Sequence, residues 1–139
     1  MQKRWTLVPV LMALMVVCGI SACNKTTEVG LKPILELKST PGFLYTDTTV
    51  AKGVTYHFLV EASRSEDASL LSSFDISRAY DNDRDTSVYY EDLKGERQIN
   101  FGLDFRFDTR TIAGKERFVF TVKNKYGIVN QKVIVVTVK

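Results

Sequence analysis

Residues 96 to 108 read ERQINFGLDFRFD, and apolar side chains recur at every second position, Ile99, Phe101, Leu103, Phe105 and Phe107, with Gln98, Asn100, Asp104 and Arg106 between them. Only an extended backbone places alternate residues on one face. The stretch therefore predicts a half-buried antiparallel strand and argues against an amphipathic helix.

The same period runs through the rest of the chain. Val54, Tyr56, Phe58, Val60 and Ala62 alternate with Thr55, His57 and Glu61, while Phe74, Ile76 and Ala79 mark a shorter strand after the loop SRSEDASLLS. Phe118, Phe120 and Val122 lead into the turn signal Lys125-Tyr126-Gly127, and the β-branched run KVIVVTVK returns as the second arm of a hairpin. With Ile34 to Lys38 and Ser87 to Tyr90 added, the reading gives about seven strands at sandwich-like spacing, and no helical stripe after residue 32.

The first residues have a different organisation. Lys3 and Arg4 precede an apolar run from Leu7 to Ile20, which is followed by the small residues Ser21 and Ala22 and then Cys23. This is the three-part layout of a secretory signal. The run of 14 residues rises about 21 Å as a helix, short of a hydrocarbon core of about 30 Å, so a membrane span is disfavoured.

Ile20-Ser21-Ala22-Cys23 resembles a bacterial lipobox, the aliphatic, small, small, Cys pattern at the end of a signal. That resemblance implies cleavage before Cys23, a diacylglycerol on its sulfur and a further acyl chain on its amine. Two or more chains hold a protein stably at a membrane without spanning it. It divides the sequence into a lipoprotein signal peptide at 1–22, a lipidated tether at 23–32 and a folded domain at 33–139. Cys18 leaves with the signal, so the domain has no cysteine for a disulfide and depends on its hydrophobic core. Asn24, after the cysteine, is not the aspartate that favours inner-membrane retention in enteric bacteria. The expected location is therefore the outer membrane, facing the periplasm or the cell surface.

Composition fits one globular domain, with 45% hydrophobic and 25% charged residues. Of the net charge of +3, Lys3 and Arg4 supply two. No basic cluster remains to follow a phosphate backbone, so nucleic acid is not an expected partner.

The segment GKERFVFTVKNKYGIVNQKVIVVTVK, residues 114 to 139, resembles the closing hairpin of PKD-like, cadherin-like and other immunoglobulin-like modules of bacterial envelope proteins. Asn124 stands where many PKD modules have aspartate. The segment VTYHFLVEASRSEDASLLSSFDIS resembles the second and third strands of immunoglobulin-like domains in small Gram-negative lipoproteins. The resemblance implies an all-β, immunoglobulin-like antiparallel sandwich.

Chemistry is sparse. His57, the only histidine, falls on the polar side of its strand. A zinc site or a Cys/His pair lacks ligands, and neither a Gly-x-Ser-x-Gly elbow nor a phosphate-binding Gly loop occurs. The expectation is a non-catalytic binding, adhesion or accessory module without a cofactor.

Two polar features stand out. Asp81, Asp83 and Asp85 alternate as hard oxygen ligands do in calcium loops, and cadherin-like modules use calcium, so a calcium-dependent module is the alternative reading. Thr86 and Asp92 occupy positions where an EF-hand needs glycine and glutamate, and the same aspartates also suit a solvated hairpin loop. Tyr89 and Tyr90 are adjacent in a strand and so face opposite ways, one of them to solvent. That tyrosine and Tyr126 in the turn are candidate contacts for a protein or glycan partner, the membrane being reached through lipid on Cys23.

Overall fold

The alternating stretches form strands whose apolar faces cover one another. The computed structural model describes residues 32–139. Within them the chain forms β1 (Ile34–Leu37), β2 (Thr48–Val50), β3 (Thr55–Ser63), β4 (Leu71–Tyr80), β5 (Thr86–Asp92), β6 (Asn100–Asp108), β7 (Gly114–Asn124) and β8 (Val129–Val138), with a 3-10 turn at Gly95–Gln98. The segment expected to be a signal peptide, and Cys23 as its expected lipid site, lie outside the described residues.

One sheet has the order β1-β3-β6 and the other β2-β8-β7-β4-β5. Every pairing is antiparallel except β2 with β8, which is parallel. Two antiparallel sheets with these crossovers make an immunoglobulin-like β-sandwich. It has eight strands where the sequence suggests about seven, because the three-residue β2 is too short to show a period.

The core lies between the sheets. The Phe58 ring stacks on Phe107 at 5.1 Å and meets Phe118 and Phe120 edge-on at 5.1 and 5.0 Å. Phe74 packs on Phe101 at 4.6 Å. Phe58, Phe74, Phe118 and Phe120 are fully buried. Each such ring contributes about 1.5–3 kcal/mol by leaving water, which lets the sandwich hold without a covalent link.

The β7–β8 hairpin closes on Asn124. Its N–H donates to Ile128 O at 3.0 Å, and Gly127 N–H donates to Asn124 O at 3.0 Å. Gly127 has φ +81°, a conformation that a side chain disfavours. The Asn124 side-chain carbonyl accepts from Tyr126 N–H and Ile128 N–H, each at 3.0 Å.

Three expected boundaries move. Ile99 does not join the apolar face of β6: it has φ −95° and ψ −54° after the 3-10 turn and is exposed, so the strand begins at Asn100. Val54 precedes β3 and is exposed, since its N–H turns to the Thr109 hydroxyl. The strand around Phe74 and Ile76 is ten residues rather than short, and its inward row continues through Arg78, which the register sets opposite Phe118. Ala79 is buried but does not belong to the core cluster between the sheets.

Candidate binding surfaces

The five-stranded sheet has an outer face whose rows are fixed by register. Tyr90 on β5 is opposite Asp75 on β4, Asp75 opposite Thr121 on β7, and Thr121 opposite Gln131 on β8. The next row runs Ser87, Ser77, Val119 and Val133. Asp75 sits at a junction of the two rows, its carboxylate accepting from the Ser77 hydroxyl at 2.7 Å and from the Ser87 hydroxyl. Gln131 Nε2 donates to Thr121 Oγ1 at 2.9 Å.

Tyr90 is 61% exposed on this face and Val133 is 52% exposed. The Tyr90 hydroxyl donates to Asp92 Oδ1 at 2.7 Å, and that bond holds the phenol pKa above its ordinary value. Tyr90 thus offers a large ring beside carboxylate, hydroxyl and amide groups.

Tyr89 takes the other side. It is half-buried, with its ring 6.3 Å from both Phe74 and Phe105, and its hydroxyl donates to Glu91, which also pairs with Arg97 at 2.7 Å. Burial, then Glu91, raises its phenol pKa. Its side chain is committed to packing.

Tyr126 occupies the tip of the β7–β8 hairpin, 54% exposed, with Lys125 Nζ 5.0 Å from its ring centroid. It is not brought beside Tyr90, because β4 separates β5 from β7. The hairpin tip lies where the described chain begins: Asn130 Nδ2 donates to Pro33 O at 2.8 Å.

The aspartates lie at the opposite end, in the connection between β4 and β5. Asp81, at φ +51°, accepts Lys115 N–H at 2.8 Å and Arg110 Nη1 at 2.7 Å, two donors that hold its carboxyl pKa below the ordinary value. Asp85 receives a forked pair of bonds from Arg117 at 3.2 and 2.7 Å. Asp83 N–H donates to Tyr80 O at 2.8 Å. Among the described residues, no group of three or more His, Cys, Asp or Glu side chains is placed to hold a metal ion.

This end also holds a cluster that the sequence reading passed over. Glu116 is fully buried, Arg78 Nη2 donates to its Oε2 at 2.5 Å, and Arg110 N–H donates to its Oε1 at 2.8 Å. The Arg78 guanidinium lies 5.2 Å from the Phe118 ring centroid and 5.5 Å from that of Phe107. Gly114 stands beside it at φ +154°, a conformation that side chains rarely adopt, and a Cβ there would lie 2.6 Å from Arg110 Nη1 and 2.7 Å from Asp81 Oδ1, so the ends of those side chains would have to shift. A signal was present: Arg78 shares the parity of Phe74 and Ile76, and Glu116 that of Phe118 and Phe120. Opposite charges on the core rows of two strands foretell a buried pair.

The three-stranded sheet turns its outer face away from this network. His57 is half-buried there, its Nδ1 3.1 Å from Asp104 Oδ1 and its ring 4.9 Å from Phe43. Nearby, a shallow cleft of about 480 Å³ is lined by Ile34, Glu36, Glu61, Ser63, Asn100 and Gly102, among others, and His57 is not part of it. Lys38 bridges Glu36 and Glu61 at 3.0 and 2.9 Å.

No protein-family model and no curated protein matches the chain. Among solved structures it is similar to a superoxide reductase (neelaredoxin) from Ignicoccus hospitalis, with a TM-score of 0.51 and 10% identity over 78% of this chain and 81% of that one. Murine CRIg matches with a TM-score of 0.42 and 11% identity, over 77% of this chain and 98% of that one. At such identities the likeness to the reductase is one of fold alone.

Proposed function

We propose that this chain is a lipid-anchored, non-catalytic binding module of the bacterial envelope, which presents the outer face of its five-stranded sheet to a protein or glycan partner. The observation that carries the binding reading is Tyr90, the most exposed aromatic ring on that face, set in register with Asp75, Thr121 and Gln131. An aromatic ring flanked by hydrogen-bonding groups suits a flat partner, because ring area supplies affinity and the polar groups supply orientation. Its neighbour Tyr89 is already taken up by the core.

The anchor reading rests on Ile20-Ser21-Ala22-Cys23, with Cys23 as the lipid-bearing residue and the outer membrane as the location. Given that anchor, the fold sets an orientation. The chain enters the sandwich beside the Tyr126 hairpin, so a lipid on Cys23 would hold that end toward the bilayer and leave the side face around Tyr90 open. Of the tyrosine candidates, Tyr90 is therefore assigned the partner contact.

The test combines two probes. A photoreactive residue replaces Tyr90 or, in a separate variant, His57 in cells, and the purified protein is applied to an array of envelope glycans. The reading expects a discrete adduct from position 90, or a glycan signal that Tyr90→Ala removes. An adduct from position 57 with none from position 90 would move the binding role to the other sheet and overturn the assignment.

A further inference from the structure

The end of the sandwich where the chain enters carries exposed apolar and basic side chains around one hydrogen bond. Asn130 Nδ2 donates to Pro33 O at 2.8 Å, and the next residues on either side, Ile34 and Val129, are 47% and 45% exposed. Three residues before Val129 is Tyr126, 54% exposed at the hairpin tip, with the Lys125 ammonium 5.0 Å from its ring centroid. Lys32 and Lys125 are exposed. The set thus holds three apolar or aromatic side chains and two lysines within a few residues of where the tether joins.

We infer that this end, Ile34, Tyr126 and Val129 with Lys32 and Lys125, is a membrane-contacting surface that seats the domain on the lipid headgroups. The inference rests on the reading of Cys23 as lipidated. Residues 23 to 32 reach at most about 35 Å even when fully extended, so a lipid on Cys23 keeps this end within one tether length of the bilayer. Tyrosine suits that position, since its ring prefers the apolar side of the interface and its hydroxyl the wet side. Lysine does as well, burying its methylenes while its ammonium remains among phosphates. Contact would fix the orientation of the domain and hold the Tyr90 face roughly perpendicular to the membrane.

The sequence supplies a probe. Trp5 is the only tryptophan and lies ahead of Cys23, so a processed Tyr126→Trp variant carries a single reporter. The processed protein is purified from membranes and reconstituted into phosphatidylethanolamine–phosphatidylglycerol vesicles, with or without brominated acyl chains, and its amino-terminal peptide is weighed. An Ile112→Trp variant serves as the control, because Ile112 is 62% exposed in the connection between β6 and β7 at the opposite end. With Cys23 lipidated, the inference expects Tyr126→Trp emission to shift to shorter wavelength and to be quenched by brominated lipid, and Ile112→Trp emission to do neither. Lipidated protein whose Tyr126→Trp emission is unquenched overturns the contact and leaves the anchor standing. An unmodified amino-terminal peptide overturns the anchor reading itself, and the inference with it.

Discussion

The Arg78 guanidinium and the Glu116 carboxylate meet at 2.5 Å at one end of the core, with Glu116 fully buried and Arg78 lying against the rings of Phe107 and Phe118. A buried ion pair gains little over apolar packing, because both ions must leave water, but breaking it strands one charge. Glu116→Gln keeps the shape and removes the charge, so it should lower unfolding free energy by about 3–5 kcal/mol in urea titration. The double variant Arg78→Met, Glu116→Leu should lose less than the sum of its single changes. A Glu116→Gln protein as stable as the parent would refute this account.

Asn124 sets the hairpin by accepting two backbone N–H groups with one side-chain oxygen. Asn124→Ala should cost about 1–3 kcal/mol, since both donors lose their acceptor in a position that is 1% exposed. Asn124→Asp retains the acceptor and should lose less. Thermal melting of the two variants checks the order.

Asp81 gives the stability a dependence on acid. Lys115 N–H and then the Arg110 guanidinium hold its folded pKa below the unfolded one. Its contribution is thus complete above the unfolded pKa, about 3.9, and is lost as pH falls through the folded value. Asparagine tolerates the φ of +51° found here, so Asp81→Asn tests charge rather than backbone. The melting gap between parent and Asp81→Asn should be constant near neutrality and narrow below about pH 4. An unchanged gap in strong acid would show that the carboxylate charge is not its source.

The two adjacent tyrosines should separate stability from binding. Tyr89→Ala removes a half-buried ring and should destabilise by about 1–3 kcal/mol, whereas Tyr90→Ala should stay within about 0.5 kcal/mol of the parent. On the partner found by crosslinking or on the array, Tyr90→Ala should weaken binding about tenfold or more. Equal effects of the two substitutions on melting would contradict the opposite facings described above.

Calcium binding at the β4–β5 connection would have to displace Arg110 from Asp81 and Arg117 from Asp85. Melting temperatures in calcium and in chelator are therefore expected to coincide. A rise with calcium that Asp83→Asn removes would establish the calcium-dependent reading instead.

The period of two was enough to place β3, β6 and β7, because each has one face on the core and one in water, and β8 followed from its β-branched run after the turn signal. It also foretold that Tyr89 and Tyr90 would diverge. It failed at Ile99, where hydrophobicity continued the pattern but the backbone had turned into a 3-10 segment. It failed at β2, whose partner is the last strand, since three residues show no period and pairing across the whole chain has no local signature.

The sequence by itself therefore determined the class of fold, since alternation along a strand is a local property of extended backbone. Only the tertiary structure decided which of two neighbouring tyrosines faces outward, that Arg78 and Glu116 neutralise one another, and that Pro33 lies beside the Tyr126 hairpin while the aspartates lie at the far end. Those facts depend on register and strand order, which are set by how two sheets cover each other's apolar faces, and no single stretch of chain contains that information.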